Sequence, residues 1–136
     1  MTDNTLLERI QQHQYLRDLR NKLLHLHRML LDTERITYEQ VCGRVSSSEL
    51  FQLVVANEQF AWLHSISHLV VQIDETLSAN KPISVEDVQK LIDNGRILIA
   101  PSEIGNEFAR KYYTALQREP SVVLAHAEVS ELLANK

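Results

Sequence analysis

Glycine, proline and cysteine are all scarce in this sequence. The 136 residues include only three glycines and three prolines, whereas a β-sandwich or β-barrel needs a turn about every 8–12 residues, so an all-β fold is not expected. The single cysteine, Cys42, cannot form an internal disulfide and favours a reducing compartment. We therefore expect a cytoplasmic protein that is built from helices.

Long apolar runs are missing as well. The most apolar stretch, residues 60–73, is 14 residues long and contains histidine, serine and glutamine, so it is too short and too polar to span a bilayer. The first ten residues are polar and lack the pattern of a secretory signal peptide. These features predict that the protein has no membrane partner.

Basic residues are absent from the middle of the chain. Residues 45–80 contain four acidic side chains and no lysine or arginine, and the whole chain has a net charge of −4. Elsewhere the basic residues are interspersed with acidic ones, and no aromatic residues alternate with them to stack on bases, so nucleic acid is not an expected partner. A first helix with basic residues lying along the acidic segment would be complementary to it in charge.

The first part of the chain predicts one long helix over residues 4–41. Its leucines recur at steps of 3, 4, 3 and 4 residues, the spacing of a helix that packs lengthwise against another. Gly43 is a suitable C-terminal stop. At 1.5 Å per residue the helix would be ~55 Å long, so we expect its N-terminal turns to project or to pair with another chain. The leucines of this seam are Leu16, Leu19, Leu23, Leu26 and Leu30.

A break in the helical pattern is predicted near residues 56–59. Ser46 and Glu49 have the spacing of a capping box at the start of a second helix. At 100° per residue, the apolar face of residues 46–56 and that of residues 59–79 differ by roughly 170°. One straight helix would have to bury opposite sides at its two ends, so we expect a short helix followed by a longer one.

The rest of the chain predicts three more helices. Ser84 caps one that ends near Gly95 or about a turn later. Ser102 opens the next, and Ile104 is expected on its buried face. Pro120 interrupts this helix, because proline disfavours helical geometry in the residue before it, and a last helix follows.

Together these patterns predict an all-α fold. The expected architecture is a single-domain antiparallel bundle of five to six helices, one of them short, with a long first helix and a kink near residues 56–59. The domain covers residues 1–136, and residues 1–4 and 134–136 are expected to be loose.

Polar residues lie beside the leucine seam of the first helix. His27, Glu34 and Tyr38 are such residues, and polar groups so near a buried stripe must be paired or line a cleft. They would suit an acid/base pair or a polar ligand, whereas a hydrogen-bond network that fixes helix register is the alternative we favour. His126, on the apolar face of the last helix, would complete such a site if it faced His27. Asp74 is a further candidate ligand-binding residue, at the edge of its own seam and within reach of an arginine from the first helix.

Two histidines, His64 and His68, have the spacing of metal ligands on one helix face. Their face points away from the apolar seam, and no glutamate follows the first of them as in the HExxH motif, so we interpret them as solvated or interface histidines. None of the six histidines has a glutamate three residues before it, as di-iron sites in helical bundles require. The sequence therefore predicts no metal, no cofactor and no catalytic residue.

Three stretches of the sequence share a family pattern. They are LHRMLLDTERITYEQVCGRVSSSELFQLV, FAWLHSISHLVVQIDE and FARKYYTALQREPSVVLAHAEV. The combination L-H-x-x-L-L-D-x-E-R, Y-E, G-x-V, E-L, F-A-W-L and I-D-E resembles a group of small bacterial all-helical proteins of unknown function, over residues 16–133. The resemblance implies a bacterial cytosolic helical protein and brings no activity with it. It also draws attention to the matching positions His27, Asp32, Glu34, Arg35, Tyr38, Glu39, Trp62, Asp74, Glu75 and His126.

The sequence supports two hypotheses about function. The first is a non-enzymatic helical bundle that associates with itself, as a dimer, or with a protein partner. It rests on the long first helix, the lack of a nucleophile motif and the outward-facing Phe51 and Val55. The second is a bundle that binds a small ligand or a metal in an internal polar cleft around His27. Catalysis by the same cluster is a third and less favoured interpretation.

Overall fold

The computed structural model describes the backbone of residues 2–134 and the side chains of residues 6–134. This part of the chain is helical and contains no strand, which confirms the all-α prediction. None of its helices has both the length and the apolar character that crossing a membrane requires. The elements are α1 (Thr2–Cys42), α2 (Ser47–Ala56), a 3₁₀-helix (Glu58–Leu63), α3 (His64–Ser78), α4 (Val85–Leu98), α5 (Glu107–Arg118) and α6 (Pro120–Ala134).

The loose ends expected at residues 1–4 and 134–136 fall partly on residues 1, 135 and 136, which lie outside the described residues. Helix α1 begins at Thr2 and α6 ends at Ala134. That expectation stays a prediction.

Helix α1 is the axis of the bundle, because α3 and α6 both pack along it. It is 41 residues long, or ~60 Å at 1.5 Å per residue. Its end is the one predicted: Gly43 has a φ of 83°, in the left-handed region, and its N–H donates to the carbonyl of Glu39 at 2.9 Å. The five leucines of the seam, Leu16, Leu19, Leu23, Leu26 and Leu30, are fully buried.

The break near residues 56–59 is confirmed. Helix α2 begins with the complete capping box of Ser46 and Glu49, and it ends at Asn57, whose ψ of 133° turns the chain out of the helix. The Asn57 side chain then accepts the N–H of Gln59 at 2.8 Å and so starts the next segment. This segment is a 3₁₀-helix rather than the first turns of an α-helix, and it buries Phe60, Trp62 and Leu63.

Helix α4 lies close to α6 because of one glycine. The Ser84 side chain accepts the N–H of Asp87 at 3.0 Å, and the helix extends to Leu98, the later of its two predicted ends. Gly95 therefore lies inside the helix, and a Cβ placed there would be 3.3 Å from Leu133 Cδ2. A larger side chain at this position would displace Leu133.

The predicted start of α5 at Ser102 is wrong. The helix begins at Glu107, and Asn106 is its N-cap, since its side chain accepts the N–H of Ala109. Ser102 instead accepts the N–H of Ile104 at 3.2 Å in a local turn, because a serine side chain competes with helical hydrogen bonding. Ile104 therefore lies in a loop and is 93% exposed rather than buried.

Basic residues of α1 pair with acidic residues of the two helices that flank it. Arg20 Nε lies 2.5 Å from Asp74 Oδ1 of α3, and Lys22 Nζ lies 3.3 Å from Glu128 Oε2 of α6. All four side chains are partly exposed, so these pairs contribute little to stability and help to select the pairing of the helices.

Candidate functional site

The five candidate ligand-binding residues do not share one site. His27, Glu34, Tyr38, Asp74 and His126 each have partners of their own, and among the described side chains no hydrogen bond or ion pair joins any two of them. The internal cleft that the sequence suggested is therefore replaced by several separate contacts.

His27 contacts α3. Its Nε2 lies 3.3 Å from Ser67 Oγ, and the ring is half-buried. Burial lowers the pKa of His27 because it penalises the charged form, and the charge of the nearby His64 lowers it further. His27 is thus a largely neutral residue that links two helices.

His126 contacts α5. The Tyr112 hydroxyl oxygen lies 2.5 Å from His126 Nδ1, and on the other side of the ring Nε2 lies 3.3 Å from Ser130 Oγ. Burial lowers the pKa of His126 and raises the pKa of Tyr112. Both groups are therefore neutral near pH 7, and the pair is a hydrogen-bonded core contact.

Glu34 and Tyr38 contact the 3₁₀-helix. Glu34 Oε1 accepts the indole N–H of Trp62 at 3.4 Å, and the ring of Tyr38 lies 5.8 Å from that of Phe60. The pKa of Tyr38 is raised, chiefly by its electrostatic interaction with the neighbouring Cys42. The polar stripe of α1 thus anchors the segment that follows the break.

Asp74 makes the ion pair with Arg20 that the sequence suggested. The two side chains lie at the margin of a shallow depression together with His13, Arg17 and Ser78. Because the Asp74 carboxylate already has a cationic partner, it serves to position α3 on α1.

His64 and His68 are exposed and have different neighbours. His64 Nε2 lies 2.6 Å from the carbonyl oxygen of Val54, and His68 lies 3.5 Å from the Gln72 amide. Within residues 6–134, no three histidine, cysteine, aspartate or glutamate side chains are grouped so that they could hold a metal ion.

A groove between α1 and α5, which no local sequence pattern indicated, is one candidate site. We call it the α1–α5 groove. Its volume is about 390 Å³. Its lining residues are Leu30, Thr33, Glu34, Thr37, Trp62, Glu107, Arg110, Lys111, Thr114, Ala115 and Arg118. Of the five candidate residues it contains only Glu34.

Cationic side chains of α5 form one wall of the α1–α5 groove. Arg110, Lys111 and Arg118 lie on the groove face of this helix, and Lys111 Nζ is 6.0 Å from the centre of the Trp62 ring. The spacing of Arg110, Lys111 and Arg118 was visible in the sequence as the polar face of an amphipathic helix. No sequence pattern near these three residues indicated that this face of α5 lies opposite Trp62.

The N-terminal part of α1 is a second candidate site. No side chain from Leu6 to Gln14 is buried, and we call these residues the arm. Three apolar side chains of the arm are more than half exposed: Leu6 at 57%, Leu7 at 53% and Ile10 at 56%. At 100° per residue they lie on the side of α1 opposite the leucine seam, so the bundle of this copy does not cover them.

The two half-buried histidines predict a loss of stability in acid. Since burial holds the pKa values of His27 and His126 in the folded protein below the ordinary histidine value of about 6.5, the unfolded chain binds protons first as the pH falls below that value. The free energy of unfolding should therefore decrease from about pH 6.5 towards pH 5 and gain nothing from these groups above pH ~7.5. Urea denaturation followed by circular dichroism at a series of pH values measures this.

Replacing each histidine by a neutral residue tests whether His27 and His126 cause the loss of stability in acid. H27Q keeps a polar atom near the Nε2 position and H126N keeps one near Nδ1, so each variant should flatten the acid-side decrease while leaving the fold intact. H25Q is the matched control, because His25 is exposed on the same helix. An acid-side slope that is equal in all four proteins would show that neither half-buried histidine is responsible.

The comparisons with known proteins identify no relative. No family model matches the chain, and no curated protein or solved structure has significant similarity to it. The function is therefore argued from the geometry alone.

Proposed function

We propose that this protein is a non-enzymatic helical bundle that acts by self-association, through pairing of the arm with the arm of a second copy. The observation that carries the proposal is the exposure of Leu6, Leu7 and Ile10 on a stretch of α1 with no buried side chain. Most of the stability of a helix in a protein comes from packing of its apolar face, and the arm has no buried side chain. Pairing with another helix would both cover these side chains and stabilise the helical arm.

A second copy is the partner that suits the arm best. Two-fold pairing brings the same apolar face of both chains together, so each arm covers the other. The described charged side chains of the arm are one acidic and one basic residue, Glu8 and Arg9, and two arms therefore meet without net repulsion. These features favour a symmetric dimer.

The dimer should be weak. Full burial of a leucine or isoleucine contributes roughly 1.5–3 kcal/mol, and these side chains are already partly covered, so each adds about half of that. Six such side chains act against an association cost of roughly 4–15 kcal/mol. The balance favours association by at most about 5 kcal/mol, so we expect a dissociation constant of hundreds of micromolar or more. Such a dimer would exchange readily with free monomers.

The same proposal assigns the dimer to the cytoplasm of a bacterium, with neither nucleic acid nor a membrane as partner. The lone, exposed Cys42 supports a reducing compartment. Arg20 and Lys22 of α1 support a protein partner over nucleic acid, because ion pairs with acidic residues of α3 and α6 already engage them within the bundle.

Sedimentation velocity over a wide range of protein concentration tests the dimer. The wild-type protein should shift from monomer to dimer as concentration rises. The double variant Leu7→Glu and Ile10→Glu should stay monomeric at every concentration, because it places four carboxylates in the interface while glutamate still favours a helix.

F51E is the matched control, since Phe51 is an apolar side chain outside the arm, on α2, and is even more exposed than those of the arm. It should dimerise as the wild type does. A wild-type protein that remains monomeric at the highest concentration refutes the proposed function. Dimerisation that F51E abolishes and the arm variant preserves would instead place the interface on α2.

A further inference from the structure

The cationic wall of the α1–α5 groove is only partly neutralised. Lys111 has a distant ion pair with Glu107 at 3.9 Å. Arg110 and Arg118 have no carboxylate within 4.0 Å in the described part of the chain. Glu34, on the opposite wall, is engaged by the Trp62 indole N–H. The groove therefore presents two guanidinium groups that are available to an anion.

The floor of the groove is apolar and held in place. Trp62 and Ala115 are buried, and Leu30 is fully buried beneath them. The Trp62 ring is held by its N–H bond to the Glu34 carboxylate and by the ring of Phe108, whose centre is 5.5 Å away. A rigid aromatic floor of this kind suits the apolar body of a ligand.

The threonine hydroxyls of the groove do not provide further donors. Thr33, Thr37 and Thr114 each donate to the carbonyl four residues earlier in their own helix, at 3.0, 3.2 and 3.2 Å. Each hydroxyl proton is therefore bonded within its own helix, and towards the groove the three threonine oxygens can act only as hydrogen-bond acceptors. Recognition of an anionic head group falls to the cationic side chains of α5.

We propose that the α1–α5 groove binds a small organic monocarboxylate with an apolar body. The carboxylate pairs with the guanidinium groups of Arg110 and Arg118, and the apolar body lies on Trp62. The volume of about 390 Å³ falls within the range of roughly 300–1,000 Å³ that small-molecule sites occupy. The fixed negative charge of Glu34 disfavours a second anionic group on the ligand.

This site is independent of the dimer interface. Leu30, where the groove begins, is twenty residues from Ile10 along one helix, or ~30 Å. Loss of dimerisation in the arm variant should therefore leave ligand binding unchanged, and a failure of either proposal does not decide the other.

Octanoate is a suitable probe, and Trp62 is a suitable reporter because it is the only tryptophan of the chain. Octanoate added to the full-length protein should change the emission of Trp62 in a saturable manner, and isothermal titration calorimetry should give the same dissociation constant. Octanol and octylamine carry the same apolar body with no charge or the opposite charge. The dissociation constants of both should be at least about tenfold higher than that of octanoate.

R110Q and R118Q test the cationic wall. Each should weaken octanoate binding by about tenfold, and neither should alter the circular dichroism spectrum, because both side chains are exposed. K90Q removes an exposed positive charge from α4 and is the matched control. The proposal is refuted if neither fluorescence nor calorimetry detects octanoate, if octanol binds equally well, or if K90Q weakens binding as much as the arginine variants do.

Discussion

Leu26→Ala should destabilise the protein by roughly 2–5 kcal/mol, because it removes a fully buried side chain from the seam of α1. Two helices, α3 and α6, pack along α1, and a ~60 Å helix held by two neighbours cannot collapse easily into the cavity. A loss of this size is a large fraction of the stability of an ordinary domain. Urea denaturation followed by circular dichroism measures it.

Leu24→Ala is the control for this experiment. It makes the same chemical change in the same helix, two residues away, at a side chain that is 39% exposed, so both variants gain equally from the helix propensity of alanine. We expect a change within about 1 kcal/mol. Equal losses in the two variants would mean that the seam does not face the core as the structure describes.

Trp62→Ala should cost roughly 3–5 kcal/mol, since it removes the largest side chain of the 3₁₀-helix from the core. The substitution also deprives Phe108 of a ring contact at 5.5 Å and Glu34 of its indole donor. The 3₁₀-helix is short and has poorer hydrogen-bond geometry than an α-helix, so its position depends on such side-chain anchors. Thermal denaturation followed by circular dichroism at 222 nm is the measurement, because the fluorophore itself is removed.

Trp62→Phe separates packing from hydrogen bonding. Phenylalanine keeps an aromatic ring against Phe108 but cannot donate to Glu34, and we expect it to lose less than half as much stability as alanine does. If both variants are as stable as the wild type, Trp62 is not a core anchor, and the apolar floor of the α1–α5 groove loses its basis as well.

Local patterns predicted most of the helices of this fold. The capping residues Ser46 and Ser84 and the stop at Gly43 act through hydrogen bonds and backbone angles within a few residues, so their neighbours in sequence are sufficient to recognise them. Ser102 shows the limit of this approach. A serine at this position is compatible with either a helix cap or a local turn. In the structure its side chain closes a turn, and Asn106, four residues later, caps the helix.

The candidate site was harder to predict, because sharing a helix face does not mean sharing a site. His27 and Tyr38 lie on one stripe of α1, yet eleven residues of helix separate them by ~16 Å, which is farther than two side chains reach. Successive positions along the stripe therefore contact α3 at Ser67 and then the 3₁₀-helix at Trp62 and Phe60. The residues of the stripe have separate partners and do not meet in a single cleft.

The amino-acid sequence by itself determined where most of the helices begin and end, where the chain breaks, and which face of α1 is buried. It also predicted that the N-terminal turns of this long helix project or pair with another chain. These properties depend on periodicity, on helix length and on hydrogen bonds between residues close in the chain. Only the tertiary structure decided that the cations of α5 lie opposite Trp62 and the α1 wall. This outcome depends on how rigid helices pack against each other, and the packing is set by contacts between residues far apart in the chain.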